Sequence, residues 1–176
     1  MRETSLWSSA LVAIDPQHRA DLRDHLLRLD GDARLERFCH LADDAHVCAH
    51  VEGIDFENGR VIGCYEAGQI RGAVELQPAG ARHSRVVEAA FSVERRWQGH
   101  GIGTALLFRA IPVARRLGAR HLLVDRLACS VRMRRILAQF DVCLFFDQDD
   151  CKAWLPLTEP STRRRRHTVQ GFMPQA

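Results

Sequence analysis

A glycine-rich turn in mid-chain has the residue types and spacing of an anion-binding loop. Gly99, Gly101 and Gly103 alternate with larger residues between an apolar strand pattern and an amphipathic helix pattern. Such a turn points successive backbone N–H groups at one place, and the helix N-terminus adds partial positive charge. The segment 98–104 therefore predicts a site for a phosphate or pyrophosphate, close to the backbone.

Two other phosphate-binding loops do not fit this spacing. A P-loop needs a lysine after its glycines, and none follows here. A dinucleotide-binding turn needs GxGxxG after an early strand, whereas this chain has GxGxG in mid-chain. A glycine-rich connection without a ligand is the remaining alternative, although alternating glycines at a helix start are entropically costly without a close approach.

The surrounding patterns predict the elements that position this loop. Expected strands span 5–14, 60–67, 69–77, 85–93, 121–127, 141–146 and 151–157, and expected helices span 16–29, 33–41, 43–51, 104–117 and 130–140. Asp15-Pro16 is a helix start, Gly118 is a helix stop, and Pro112 is expected to kink its helix or loosen a turn. This order is typical of an α/β chain with a single mixed, mostly antiparallel sheet of about six or seven strands and helices on both faces.

The composition is that of a globular chain with a basic tail. Apolar residues make up 46% and charged residues 27% of the chain, and the net charge is +3. Four arginines at 163–166 account for the positive sign, so we expect a folded domain at 1–158 and a disordered tail at 159–176. No secretory signal or membrane span is expected. Six cysteines without CxxC spacing favour a reduced, cytoplasmic protein.

The glycine loop and its context resemble the GNAT superfamily of acetyl-CoA-dependent N-acetyltransferases. Gln98, Gly101 and Gly103, preceded by Val93, resemble the pyrophosphate loop of that family: Arg or Gln, two residues, Gly, one residue, then Gly or Ala. The resemblance extends over roughly residues 5–157 in element order. It implies the acyl-CoA N-acyltransferase fold, with acetyl-CoA as co-substrate.

The resemblance also implies which residues hold the cofactor. The loop residues are Gln98, Gly99, His100, Gly101, Ile102, Gly103 and Thr104, and the central-strand residues beside the acyl arm are Phe91, Ser92 and Val93. For His100, contact with a phosphate and exposure to water remain alternatives. A helical start containing Arg37-Phe38 is similar to GNAT domains of the protein-acetyltransferase type.

Glu88 interrupts an otherwise apolar strand and is the candidate general base. By strand alternation its side chain shares a face with Ala90 and Ser92. Acetyl transfer to an amine needs a group that takes a proton from the ammonium, and the resemblance implies this role for a glutamate in this setting. The alternative is that Glu88 caps the sheet or pairs with an arginine such as Arg85 or Arg132.

The sequence departs from the family where an acid for the leaving thiolate is expected. Many members use a tyrosine from the helix after the fifth strand, whereas the single tyrosine here, Tyr65, lies on an earlier strand. Ser130 stands where the family commonly has asparagine, and it is the candidate to hydrogen-bond the thiolate or the pantetheine arm. The alternative is that Ser130 is the N-cap of its helix.

Two further groups of residues are not expected to form sites. His46 and His50 share a helical face that a metal could use, yet no HExxH or CxxC spacing supports it, and no metal is expected. The arginines at 163–166 fit a solvated tail better than a nucleic-acid contact, which would be steeply salt-dependent.

These observations predict an enzyme that moves an acetyl group from acetyl-CoA to a primary amine of a protein lysine or a small molecule. Direct attack with a glutamate base is the expected mechanism. The partners are then the amine acceptor and, at most, a second copy of the chain, with no membrane or nucleic-acid partner. The alternative is a GNAT-like acyl-CoA-binding sensor module with little or no transferase activity, which the missing tyrosine and asparagine favour.

Overall fold

The computed structural model describes residues 7, 10–80, 84–125, 127, 130–140, 142–147 and 150–157. The predicted tail at 159–176, and with it the predicted domain boundary at residue 158, lies outside these ranges. So does part of the predicted loop between the third and fourth strands, at residues 81–83.

Seven strands form one open sheet in the described part of the chain. They are β1 (Leu11–Ile14), β2 (Arg60–Glu66), β3 (Gln69–Ala79), β4 (Val86–Val93), β5 (His121–Val124), β6 (Cys143–Asp147) and β7 (Asp150–Pro156). Their order across the sheet is β1-β2-β3-β4-β5-β7-β6. Neighbouring strands are antiparallel except β4 and β5, which are parallel. The predicted mixed, mostly antiparallel sheet is therefore confirmed.

Five α-helices accompany the sheet in the described ranges. They are α1 (Arg19–Leu27), α2 (Gly31–Phe38), α3 (Asp44–Glu52), α4 (Ile102–Arg116) and α5 (Val131–Leu137). Side chains of Asp30, Asp43 and Ser130 accept backbone N–H bonds at the starts of α2, α3 and α5. These local caps explain why the helices begin close to where the sequence predicts. Among the helices described, none combines the length and the apolar character needed to span a bilayer.

The helices cover both faces of the sheet and divide the core in two. Helices α1–α3 pack on one face, against strand residues that include Val61, Ile70 and Ala73. Helices α4 and α5 pack on the other face, against strand residues that include Val74, Leu76, Val87 and Ala89. Alternation along β3 explains the division, because Ala73 and Val74 point to opposite faces.

The first strand and the first helix are shorter than predicted. The Ala10 N–H donates to the Trp7 carbonyl at 3.0 Å, and β1 begins at Leu11; residues 5, 6, 8 and 9 of the predicted strand lie outside the described residues. The Trp7 indole donates to the His100 carbonyl at 2.7 Å, which places Trp7 beside the glycine loop. The predicted helix at 16–29 is a 3₁₀-helix, Pro16–His18, followed by α1.

The helices around the glycine loop also differ from expectation at their ends. α4 begins at Ile102 rather than Thr104, because Gly101 takes a left-handed conformation and becomes the N-cap. α4 is continuous through Pro112, where the missing N–H removes one helical hydrogen bond to the Phe108 carbonyl. α5 ends at Leu137, before the predicted Phe140.

Candidate functional site

The sheet opens between its two parallel strands. β4 and β5 pair from Val86 with His121 to Glu88 with Leu123, and the pairing stops there. β4 itself continues to Val93, paired with β3 on its other side. The residues of β4 after Glu88 therefore present backbone N–H and C=O groups along one open side, where an extended ligand can bind them.

The glycine loop lies at the far end of this opening. Gly99 and Gly101 have φ values of +80° and +84°, a backbone conformation that side chains with a Cβ rarely adopt. Gly101 is the N-cap of α4, and its carbonyl accepts the first helical bond from Ala105 at 2.9 Å. No side chain caps this helix, and its first turn has no acidic residue. The first N–H groups of α4 are thus available to an anion.

Gly103 is needed for a different reason from Gly99 and Gly101. It lies inside α4, and a Cβ at this position would approach the Ile136 side chain to 3.1 Å. Its small size therefore allows α4 to pack closely against the helix that carries Ser130. The sequence prediction assigned all three glycines to the approach of a ligand, and the structure gives Gly103 a packing role as well.

A groove of about 370 Å³ joins the open side of β4 to the glycine loop. Most of the predicted cofactor-binding residues line it: Phe91, Ser92, Val93, Gln98, Gly99, Gly101, Ile102, Gly103 and Thr104. Arg132 and Arg135 of α5 line its opposite wall. The groove therefore combines three chemical features: open strand backbone, free helix N–H groups and guanidinium cations.

His100 is the predicted loop residue whose side chain does not line this groove. Its imidazole Nδ1 lies 3.0 Å from the Gln98 carbonyl, and the residue is exposed. Its carbonyl accepts the Trp7 indole N–H. The described contacts of His100 therefore shape the loop, and its contact with a phosphate stays a prediction.

A second cavity of about 270 Å³ lies on the other side of the β4 opening. Three carboxylate residues from three different elements line it: Glu36 of α2, Glu88 of β4, and Asp125 after β5. His40 and His46 form part of its wall, with ring centroids 4.5 Å apart in an edge-on arrangement. In this acidic cleft Lys152 lies 3.1 Å from Asp125 and Arg132 lies 3.6 Å from Glu36, so Glu88 is the carboxylate left to favour a further positive charge among the described residues.

Glu88 lies at the point where the two parallel strands separate. It is the last residue of β4 that pairs with β5, and it is half-buried. Within the described residues it has neither an ion pair nor a side-chain hydrogen bond, so the alternative of a salt bridge with Arg85 or Arg132 is not observed. Arg132 instead lies 3.6 Å from the Glu36 carboxylate. Glu88 is thus a carboxylate open to whatever occupies the cleft.

Ser130 is the N-cap of α5 and also reaches the cleft. Its hydroxyl accepts the Met133 N–H at 3.4 Å, as the alternative in the sequence analysis predicts. The same hydroxyl lies 3.5 Å from a carboxylate oxygen of Glu36. Ser130 lines both the groove and the acidic cleft.

Glu36 is a residue that the sequence analysis missed. It lies on α2, far along the chain from Ser130, and it lines both cavities. Burial raises the pKa of its carboxyl, while Arg132 and the Ser130 hydroxyl act in the opposite direction. The segment around it, RLERF, looks like any amphipathic helix, so no local signal identifies this glutamate.

A buried ion pair holds α2 in place beside the cleft. Arg37 Nη2 donates to Glu75 Oε1 at 2.6 Å, and His50 Nε2 lies 2.8 Å from Glu75 Oε2. Burial alone would raise the pKa of Glu75, but the charge of Arg37 and the hydrogen bond from His50 outweigh it and lower this pKa to about 2. Because Arg37 is adjacent to Glu36 in the chain, this ion pair fixes the wall of the cleft.

A second buried network ties α1 to β4. His25 Nε2 lies 2.9 Å from the Ser92 hydroxyl, and its Nδ1 lies 3.4 Å from Glu94. Burial lowers the pKa of His25, so its ring is neutral and carries one N–H. Arg28 and Arg71 also bind Glu94, at 2.9 and 3.1 Å.

This order of serine, histidine and carboxylate resembles a nucleophile relay. However, His25 is fully buried and Ser92 is only 6% exposed, with its hydroxyl bonded to α1. The network therefore positions β4 rather than presenting a nucleophile.

The tyrosine lies away from both cavities. The Tyr65 hydroxyl donates to Asp21 at 2.8 Å, and burial raises its pKa. Among the residues that the structure describes, no cluster of three or more His, Cys, Asp or Glu side chains is arranged to hold a metal ion.

The mixed sheet opens between its parallel strands β4 and β5, and α4 begins at a glycine turn beside this opening. This arrangement is that of the acyl-CoA N-acyltransferase class. Residues 12–139 match the family model of the GNAT acetyltransferases. Since the match covers most of the chain, the protein belongs to the GNAT acetyltransferase family. It is therefore an acyltransferase, and the resemblance predicted from the sequence is confirmed.

Solved structures share this fold at low sequence identity. The GNAT domain of S. lividans PAT is 19% identical, with a TM-score of 0.69 over 83% of this chain and 89% of that one. An N-acetyltransferase from Staphylococcus aureus Mu50 is 17% identical, with a TM-score of 0.65 over 84% of this chain and 98% of that one. The protein yncA from Salmonella typhimurium, solved with its cofactor acetyl-CoA, is 17% identical, with a TM-score of 0.63 over 88% and 96% of the two chains. Comparison with curated protein sequences gives no match.

The residues of the groove fit acetyl-CoA, the co-substrate of this family. The free N–H groups at the start of α4 match the charge of a pyrophosphate. Arg132 and Arg135 supply cations for a further phosphate. The open side of β4 offers backbone partners for the amide-containing arm that carries the acyl group.

Proposed function

We propose that this protein transfers an acetyl group from acetyl-CoA to a primary amine. The observation that carries this proposal is the meeting of the two cavities at the opening of the sheet. The cofactor groove and the acidic cleft share the residues Glu36, Phe91, Ser130 and Met133. An acyl group in the groove and an amine in the cleft would therefore meet beside β4.

In the proposed complex, the start of α4 and the glycine loop hold the pyrophosphate. The N–H groups of residues 102–104 act as donors, and Gly99 and Gly101 keep the backbone accessible. Residues Phe91 to Val93 hold the acyl arm through their backbone. A backbone N–H in this stretch stabilises the negative charge that develops on the carbonyl oxygen.

Glu88 acts as the general base. The thioester supplies an activated acyl carbon, and the chain supplies the means to make the amine nucleophilic. An ammonium in the cleft faces Glu88, which takes its proton directly or through one water. Loss of that proton frees the nitrogen lone pair for direct attack.

The acceptor is a cationic amine, and we favour a protein lysine over a small-molecule amine. Glu88, which has no ion pair among the described residues, attracts an ammonium group in this cleft, while Glu36 and Asp125 beside it pair with Arg132 and Lys152. Arg37 and Phe38, the segment similar to GNAT domains of the protein-acetyltransferase type, form part of the cleft wall. A peptide array containing lysines, assayed beside a panel of small amines, distinguishes the two acceptor types.

The first test is calorimetric titration with acetyl-CoA, free CoA and ATP. Selective binding of the two CoA species is expected, because their pantetheine arm reaches the open side of β4 and ATP has no such arm. If neither CoA species binds, the groove does not hold this cofactor and the proposal fails.

The second test removes the proposed base. In Glu88→Gln, kcat is expected to fall about 100-fold or more, since general base catalysis is typically worth that much, while acetyl-CoA affinity is retained. Glu66→Gln is the matched control, because Glu66 lies at the exposed end of β2. Unchanged turnover in Glu88→Gln would remove Glu88 from the mechanism.

A second candidate function is an acyl-CoA-binding sensor with little transferase activity. The location of Tyr65 favours it, since its hydroxyl is bonded to Asp21 and α5 carries no tyrosine. A sensor would bind acetyl-CoA with no detectable release of CoA thiol across the acceptor panel. Steady turnover with any amine rules it out as the main role.

A further inference from the structure

Glu36 occupies an unusual position between the two cavities. Four residues line both the acidic cleft and the cofactor groove: Glu36, Phe91, Ser130 and Met133. The side chains of Phe91 and Met133 are apolar. Among the described residues, Glu36 and Ser130 are therefore the groups at this junction that can carry a proton from one cavity to the other.

The junction is built by two elements far apart in the chain. Asp30 caps α2 through the Ala33 N–H, and Arg37 is anchored to Glu75, so α2 is fixed on both sides of Glu36. Ser130 is fixed as the N-cap of α5. The Ser130 hydroxyl lies 3.5 Å from the Glu36 carboxylate, which is long for a hydrogen bond but makes the two groups direct neighbours.

Several charged or titratable groups surround Glu36. On α5, Arg132 lies 3.6 Å from Glu36, and Arg135 lines the shared groove. Asp32 lies on α2 together with Glu36, and Arg95 lies nearby. The groups across the cleft are Glu88, Asp125, His40 and His46. Burial still raises the pKa of Glu36. A raised pKa makes a carboxylate a better proton carrier, because a pKa closer to the working pH suits both the uptake and the release of a proton.

We infer that Glu36 is a proton shuttle that carries a proton from the acceptor nitrogen to the departing sulfur through the Ser130 hydroxyl. This inference rests on the proposed acetyl transfer. It provides a proton donor for the leaving thiolate in place of the missing tyrosine. That donor system lies outside the glycine loop and outside the central strand.

The proton balance is complete with these residues. An ammonium loses two protons on becoming an amide nitrogen, and Glu88 takes the first before the carbon–nitrogen bond forms. Glu36 takes the second after that bond has formed. Ser130 gives its hydroxyl proton to the sulfur, which takes the electron pair of the breaking carbon–sulfur bond, and Glu36 restores the proton to Ser130. Glu88 then releases its proton to water.

The first arm of the test measures turnover. In Glu36→Gln, kcat is expected to fall about 100-fold, with the KM for acetyl-CoA unchanged or lower because Arg132 is released from its ion pair. Glu66→Gln again serves as the exposed control. Glu36→Asp keeps a carboxyl group and is expected to retain more of kcat than Glu36→Gln.

The second arm does not depend on activity. Free CoA is bound to the wild type and to Glu36→Gln, and the thiol is titrated by the ultraviolet absorbance of the thiolate. A carboxylate near the sulfur disfavours the thiolate, so the pKa of the bound thiol is expected to fall by about one in Glu36→Gln. Ser130→Gly is the second variant, because glycine costs an N-cap only a few tenths of a kcal/mol and removes the hydroxyl.

The outcomes separate the inference from the proposed function. If the wild type binds no acetyl-CoA or acetylates no amine, the proposed function itself fails. If the wild type is active but Glu36→Gln and Ser130→Gly both keep its kcat, the shuttle is overturned. An unchanged pKa of the bound thiol in Glu36→Gln also overturns it, since Glu36 would then not be near the sulfur.

Discussion

The two faces of the sheet hold their helices by different forces. On the α4 face, the core is apolar, with residues such as Leu106 and Leu122 fully buried. On the α1–α3 face, buried His25, Glu75 and Ser92 lie among the apolar residues. The groove depends largely on backbone that the apolar packing of the α4 face holds in place. The acidic cleft depends on helices that buried charges anchor, so changes of pH or charge should affect it first.

The largest effect is expected from breaking the buried ion pair at α2. Arg37→Met leaves Glu75 buried without its guanidinium partner, and we expect a loss of about 3 to 5 kcal/mol in unfolding free energy. Chemical denaturation measures this loss. The double variant Arg37→Met/Glu75→Leu should recover most of it, because no charge is then left uncompensated. A double variant no more stable than Arg37→Met would show that packing, rather than charge, holds α2.

A cavity on the opposite face should cost nearly as much but behave differently. Leu106→Ala in α4 removes a fully buried side chain, and we expect a loss of about 3 kcal/mol. Because no titrating group is involved, the loss should be the same at pH 7 and in mild acid. Denaturation at both pH values tests this, and a strongly pH-dependent loss would contradict the contrast between the faces.

Acidification of the wild type should loosen the α1–α3 face before the α4 face. The pKa of Glu75 is lowered to about 2 from its ordinary 4.5, so its contribution is complete above pH 4.5 and is lost as the pH falls towards 2. The pKa of His25 is also lowered, so its burial begins to oppose folding below its ordinary 6.5. Amide hydrogen exchange should show protection in α1, which carries His25, falling roughly tenfold by pH 4.5, and protection in α2 and α3, which Glu75 anchors, falling only below that pH, with α4 unchanged. Equal loss in both faces would contradict this prediction.

The smallest effect is expected in the glycine loop. Gly99 has a φ of +80° and no atom near the position of a Cβ. Gly99→Ala should therefore lower the unfolding free energy through backbone strain alone, by about 1 kcal/mol. Gly31→Ala is the control, because Gly31 also has open space but no positive φ. Denaturation gives the stability of each variant, and calorimetry should show weaker acetyl-CoA binding for Gly99→Ala alone. Equal binding by both variants would mean that the conformation of Gly99 does not serve the cofactor.

Much of the fold could be predicted because its signals are local. Asp15, Asp30 and Ser130 act as caps through hydrogen bonds to N–H groups within three residues along the chain. Alternation of apolar residues predicted the strands, and the pairing of β2 with β3 follows from a short turn. Element ends were less predictable, because contacts from distant residues move them, as the Trp7 bond to His100 does for β1.

The candidate site could be predicted in part. The positions of the cofactor loop follow from glycine spacing, since only a residue without a Cβ easily adopts the φ values at Gly99 and Gly101. Glu88 could be found because a charge interrupts an apolar strand. Glu36 could not be found, because a glutamate on an amphipathic helix is ordinary until another element places a serine beside it.

The sequence by itself therefore determined the kinds of element, the glycine turn and the family, since each rests on residues close together in the chain. Only the tertiary structure decided where the sheet opens, which charges are buried together and which groups join the two cavities. Those features depend on strand order and on contacts such as Glu36 with Ser130, which lie 94 residues apart. No pattern along the chain records such a distance, because it is set by how the whole sheet and its helices pack.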